Sequence, residues 1–251
     1  MTEHFQIEDF DSVVSPFLGG GSFEFYLQNK YGLNIVANDK FCPLHTFWIT
    51  CKNRNNELCS ELYKHATTTT KEQFLEARDN IMDETDELKK AVSYFIINRC
   101  SFSGATLSGG FSLESAEKRF TKSSVDRVGQ LDLSAFSMYN EDFEEFINEH
   151  HQQKSLMFLD PPYYLEKKSK LYGKNGDMHE HFDHQKLFES LSGTTNWFMT
   201  YNDCEFIREL YKDFTIIEAE WSYGMANVKS KKVNEKKSQK KSSEIVILSS
   251  H

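Results

Sequence analysis

Residues 156–163 read Leu156-Met157-Phe158-Leu159-Asp160-Pro161-Pro162-Tyr163. Four apolar residues in a row suit a strand buried on both faces. Two prolines then end it, because neither offers an N–H to a ladder. Such an end holds a carboxylate, backbone carbonyls and an aromatic face within a few ångströms of one another. A proline turn that merely caps a strand is the plain alternative.

Toward the N-terminus, Val13-Val14 lead into Pro16-Phe17-Leu18-Gly19-Gly20-Gly21-Ser22, and Phe23 to Tyr31 can form a helix. Leu33 to Ala37 reads as a second strand that ends at Asn38-Asp39. This is a βαβ opening. Glycines after the first strand let a backbone approach a ligand closely, and the helix start behind them presents free N–H groups. Asp39 follows the glycine turn by about 20 residues, where nucleotide-binding βαβ units place an acid for ribose hydroxyls.

Toward the C-terminus, His184 to Leu191 reads as a short helix with Asp183 as N-cap. Trp197–Tyr201, Thr215–Trp221 and Glu244–Leu248 read as strands. Between the two halves, Phe74, Ala77, Ile81, Leu88, Ala91 and Phe95 recur at helical spacing and predict one long helix over 71–99. A small-residue loop follows from Ser101 to Gly110. The expected fold is α/β: a catalytic unit of residues 1–54 and 131–251, interrupted by a mostly helical insert over 55–130.

Composition narrows the function classes. The 251 residues are 39% hydrophobic and 27% charged, enough apolar content for a core without staples. No apolar run approaches the ~18 residues of a membrane span. The acidic start has no apolar core of a signal peptide. Five scattered cysteines (Cys42, Cys51, Cys59, Cys100, Cys204) suit reduced thiols and a cytoplasmic setting. The net charge is −9, yet residues 229–241 carry seven Lys against one Glu. The positive charge is therefore local, as phosphate contact requires. His179, His181 and His184, with Asp177 and Asp183, read as a loop and a helix cap, and no metal site is expected. Tyr26, Phe41 and Trp48 read as core.

Taken in order, Phe17 to Ser22, Ile35 to Asp39 and Phe158 to Tyr163 resemble the Dam-type (D12 class) DNA adenine-N6 methyltransferases. Further segments carry the resemblance across nearly the whole chain. They are Asn98-Arg99 with Phe102 and Gly104, Asn140 to Phe143, Phe182-Asp183-His184 with Leu187, Thr200 to Asp203, and Lys241 to Ile247.

The resemblance implies a Rossmann-like class I S-adenosylmethionine-dependent methyltransferase fold with a target-recognition insert. It implies S-adenosyl-L-methionine as cofactor, held by Pro16, Phe17, Leu18, Gly19, Gly21, Ser22, Asp39, Asp142, Phe143 and Asp160. It implies a catalytic corner of Asp160, Pro161, Pro162 and Tyr163, acting on an adenine flipped out of double-stranded DNA. DNA contacts are expected from Asn98, Arg99, Lys118, Arg119 and Lys122 in the insert, from Lys167 and Lys168 after the corner, and from Lys229, Lys231 and Lys232. Expected partners are DNA and no membrane, with a cognate restriction endonuclease admitted and a monomer or weak dimer as the assembly. The expected setting is the cytoplasm of a bacterium or of a phage or viral host. Cytosine-N4 methylation and a non-catalytic DNA-binding relative are the alternatives. Three departures stand out: no segment like the family's Lys-Trp-x-Gly-Gly-Lys precedes the glycine turn, which motivates the non-catalytic alternative; the family's acid before Pro-Phe is Ser15 here; and a basic position in its recognition loop is Leu107.

Overall fold

A computed structural model describes residues 5–164, 182–219 and 244–249. Strand β1 (Ser12–Ser15) runs into helix α1 (Ser22–Tyr31) and strand β2 (Asn34–Asn38), the βαβ opening expected from the sequence. Helices α2 (Cys42–Asn53), α3 (Asn55–His65), α4 (Lys71–Asn80), α5 (Glu87–Cys100), α6 (Leu113–Arg119) and α7 (Lys122–Gly129) follow. The chain returns to the sheet through β3 (Phe136–Tyr139), α8 (Phe143–His150) and β4 (Ser155–Leu159). It finishes with α9 (His184–Leu191), β5 (Trp197–Asn202), α10 (Glu205–Leu210), β6 (Thr215–Ala219) and β7 (Glu244–Leu248). Trp221, assigned to the sixth strand from the sequence, lies outside the described residues.

The seven strands form one sheet in the order β3-β2-β1-β4-β5-β7-β6. The pairs β3–β2, β2–β1, β1–β4 and β4–β5 are parallel, and β7 runs antiparallel between β5 and β6. Parallel strands covered by helices on both faces read as continuous apolar runs, which is why Val13 and Val14 are both fully buried though they point to opposite faces. On one face Val13, Ile35, Leu156, Phe158 and Phe198 meet Leu27, Phe47 and Trp48, and that core continues unbroken to Phe74, Phe95 and Phe120 among α4–α6. On the other, Val14, Met157, Leu159 and Met199 pack with Phe146, Leu187, Leu191 and Ile207. All five cysteines are free. Among the described residues no helix is long and apolar enough to cross a membrane.

One expectation fails. The single helix over 71–99 is two helices, α4 and α5, joined by a turn at 81–86. The N–H groups of Asp83 and Glu84 both bond back to the Asn80 carbonyl, and Asp86 caps α5 by accepting from the Lys89 N–H at 3.0 Å. Ile81 is buried within the turn and keeps the apolar spacing intact, so periodicity alone could not show the break. The cap residue was the signal available. Asp86→Ala is expected to lower the midpoint of urea unfolding, because the Lys89 N–H loses its acceptor; no change would deny the cap its role. Tyr26 also departs from expectation: it is exposed, with its hydroxyl accepting from Lys30.

Candidate active site

The strand order reverses at β1, whose neighbours are β2 and β4, and an open parallel sheet forms a crevice at such a point beyond the strand ends. Val14 lies opposite Met157 in the β1–β4 pair, so the glycine turn and the diproline corner leave the sheet side by side. The cofactor-binding and catalytic residues expected from the sequence sit on the loops and helix starts around this crevice.

The glycine turn is shaped by two left-handed residues, Gly19 at φ 50° and Gly21 at φ 66°. Gly21 is also the N-cap of α1, and a side chain there would meet the Phe25 ring at 3.3 Å. Beside Gly19 and Gly20 there is open space where side chains would otherwise stand. Bonds to β2, to the loop behind it and to α2 hold the turn. Leu18 N–H donates to the Asn38 carbonyl, Gly19 N–H to Asp39 Oδ2 at 3.0 Å, and Trp48 Nε1–H to the Gly19 carbonyl at 3.1 Å. Trp48 is thus core, as read from the sequence, and also a brace for the turn.

Asp39 Oδ1 accepts from the Phe41 N–H at 2.9 Å. Burial pushes the Asp39 carboxyl above its ordinary range, and the bonds from Phe41 and Gly19 oppose that rise. Asp142 caps α8 and accepts from Lys40 Nζ at 2.7 Å. Partial burial works against its charge, but the bonds from Lys40 and the Glu144 N–H, with Lys186 nearby, outweigh burial and hold its pKa low. Phe143 is buried against Phe17 and Phe182, with ring centroids 5.8 and 5.4 Å away, so one aromatic wall joins the glycine turn, α8 and the start of α9.

At the corner, Thr200 donates its hydroxyl to Asp160 Oδ1 at 2.7 Å. Asn202 donates to the Tyr164 carbonyl at 2.8 Å. Alternate residues of a strand share a face, so one face of β5 grips both ends of the segment from Asp160 to Tyr164. The Tyr163 ring lies 6.0 Å from that of Tyr201, whose hydroxyl is hydrogen-bonded to His184 Nδ1. Desolvation raises the Asp160 pKa first; the Thr200 bond lowers it, Glu244 repels its charge, and Tyr163 lowers it slightly.

Sequence reading missed Thr200 and Asn202 as clamps, although their alternation on a strand was legible. It also missed Glu24. This acid is 1% exposed, and Ser15 Oγ donates to its Oε1 at 2.5 Å. The available signal was an acid between two aromatic residues, Phe23 and Phe25, that both pack against the core.

The basic residues of the insert are not all alike. Arg119 donates to the Ser101 carbonyl at 3.4 Å and covers Gly104, where a Cβ would stand 2.9 Å from the guanidinium. Arg99 lies over the Phe95 ring, and burial together with the charges of Arg119 and Arg127 lowers its pKa. Phe102, on the loop between them, is 69% exposed. Lys118 is engaged with Glu114 at 2.6 Å, Lys122 is exposed on α7, and Asn98 is half-buried at the end of α5. Lys167, Lys168, Lys229, Lys231 and Lys232 lie outside the described residues, as do Asp177, His179 and His181.

A sheet of this order, with a glycine turn and an acid–diproline corner meeting at its reversal, defines the Rossmann-like class I S-adenosylmethionine-dependent methyltransferase fold. The family model of the D12 class N6 adenine-specific DNA methyltransferases matches residues 1–225, and the chain belongs to that family. It is similar to the type II methyltransferase M.MjaIII of Methanocaldococcus jannaschii, with 25% identity over 168 residues, 60% of this chain. The match covers 57% of that relative's length.

Proposed function

We propose that this chain is a site-specific DNA adenine-N6 methyltransferase that uses S-adenosyl-L-methionine. The observation that carries this reading is the convergence of the glycine turn, Asp39 and the Asp160–Tyr163 corner on one crevice. The crevice fits the cofactor on its own chemistry. Gly19 and Gly20 leave a cradle free of side chains. Glu24, Asp39 and Asp160 are all carboxyls raised by desolvation, and none of them is ion-paired among the described residues. A ligand bearing positive charge answers that imbalance.

The bound cofactor supplies an electrophilic methyl group. Pro16 to Ser22 cradle its methionine end, Asp39 accepts from ribose hydroxyls, and Asp142 with Phe143 borders the adenine side. The target base stacks on Tyr163. Its exocyclic amino group is a poor nucleophile because the lone pair is delocalised into the ring. Asp160 and the Pro161 carbonyl accept from the two N–H bonds, which favours a pyramidal nitrogen and stabilises the positive charge that develops there. Pro161 and Pro162 keep those acceptors rigid, and the Thr200 bond fixes the carboxylate's rotamer. The charged groups acting on the Arg99 guanidinium are Arg119 and Arg127, with no acid among them, and a cluster of this sign suits phosphates. We assign the insert of residues 55–130 to target recognition on that ground.

The test is methyl transfer to unmethylated DNA, read by nucleoside mass spectrometry. N6-methyladenine is the expected product. N4-methylcytosine would keep the amino-group chemistry and overturn the base, and no modified base across varied DNA would overturn the reading.

A further inference from the structure

Buried carboxyls are normally paired with a cation or a set of donors. Glu24 has one side-chain donor, Ser15, and its own backbone N–H; the charged group that acts on it is a second acid, Asp160. Among the described residues no ion pair involves it. Its place is equally specific. Ser15 is the last residue of β1, Glu24 stands in the first turn of α1, and the glycine turn lies between them. Asp39 and Asp142 stand on the β2 and β3 side of this turn, whereas Asp160 ends β4 on the other side. An acid close to Asp160 therefore belongs to the end of the crevice away from the ribose and adenine positions.

Resting on the methyl-donor reading above, we propose that Glu24, acting through its charge, is the acid that positions the ammonium of the cofactor's methionine end. The carboxylate that strand β1 lacks at Ser15 is supplied from helix α1. Glu24 is 1% exposed and its partner Ser15 is fully buried, so Glu24 is a positioning residue rather than a catalytic one. Burial, with Asp160 adding repulsion against the Ser15 and backbone bonds, pushes the Glu24 carboxyl up to about 7. Without ligand it holds a proton on the acid side of that value. An ammonium favours the ionised form, so binding releases the proton and weakens as pH falls below about 7.

Three ligands separate this role from a purely structural one: S-adenosylmethionine, S-adenosylhomocysteine, and 5′-methylthioadenosine, which lacks the amino-acid end. Titration calorimetry is the readout. Glu24→Gln, which keeps the shape and the Ser15 contact, is expected to lose about tenfold or more in affinity for S-adenosylhomocysteine. Its affinity for 5′-methylthioadenosine is expected to stay within about twofold of wild type. Wild type should release a proton on binding S-adenosylhomocysteine at pH 6, seen as a dependence of the heat on buffer ionisation enthalpy, and the variant should not. The double variant Ser15→Asp with Glu24→Gln returns the acid to the strand and should restore affinity. Equal affinity of Glu24→Gln and wild type for S-adenosylhomocysteine overturns the inference, as does an equal loss for all three ligands. A wild type that binds neither S-adenosyl ligand overturns the methyl-donor reading beneath it.

Discussion

Asp160→Asn is expected to lower the single-turnover rate of methyl transfer by roughly 10³-fold, with the unfolding midpoint little changed. The substitution keeps the volume, and an Asn oxygen can still accept from Thr200, which now bonds Asp160 Oδ1 at 2.7 Å. The other position changes sign. Where Asp160 offers an acceptor to the target amino group, Asn offers an NH₂ donor, so two donors face each other at the reacting nitrogen. The charge that opposes the developing positive nitrogen disappears as well. The pH dependence follows from the same carboxyl. Desolvation raises the Asp160 pKa from its ordinary value, so the acid limb of the rate profile should be displaced upward in the same direction and vanish in the Asp160→Asn variant. A variant that keeps a tenth or more of the wild-type rate would remove Asp160 from the chemistry.

The parts of this site that were legible in the sequence are those where backbone chemistry leaves a local mark. Gly19 and Gly21 take left-handed φ values that other residues rarely adopt, and Pro161-Pro162 end a ladder whatever surrounds them. Asp39 and Asp160 could be placed because each follows an apolar strand. Partners brought together by the parallel sheet were harder. Thr200 meets Asp160 across the β4–β5 pair, 40 positions apart, and nothing near Thr200 names its partner. Glu24 shows the same limit. Its contact with Ser15 needs α1 packed on β1, and the turn between them hides that geometry in one dimension. The division of the 71–99 region failed for a different reason. Helical periodicity survives a short turn when a buried residue, here Ile81, stays in phase, so a cap outweighs a period where the two disagree.

The cofactor crevice is held together by a residue that touches no expected ligand atom, and Asn38→Asp should expose this. Asn38 is 1% exposed at the end of β2. Its Nδ2 donates to the Pro16 carbonyl at 3.1 Å and to the Glu141 carbonyl at 3.2 Å, while Oδ1 accepts from the Glu141 N–H at 2.8 Å. One amide therefore ties the glycine turn to the loop that carries Asp142. A carboxylate keeps the single accepted bond and loses both donated ones. It also turns a buried negative charge toward two carbonyl oxygens. Losing two buried bonds and burying that charge should cost about 3–4 kcal/mol in urea unfolding at pH 8. For a chain of this size that is roughly 10 °C in Tm. The sign with pH is fixed by the same geometry. The new carboxyl is disfavoured when ionised, so its folded-state pKa rises above the unfolded value. The deficit should be largest above that raised pKa and shrink as pH falls through it toward the unfolded value, because a protonated carboxyl recovers one donor. Binding of S-adenosylhomocysteine should weaken in parallel at pH 8, since Pro16 and Asp142 lose their common anchor. A variant within about 1 kcal/mol of wild type at pH 8, or one whose deficit grows on acidification, would mean that the two loops are held by something other than Asn38.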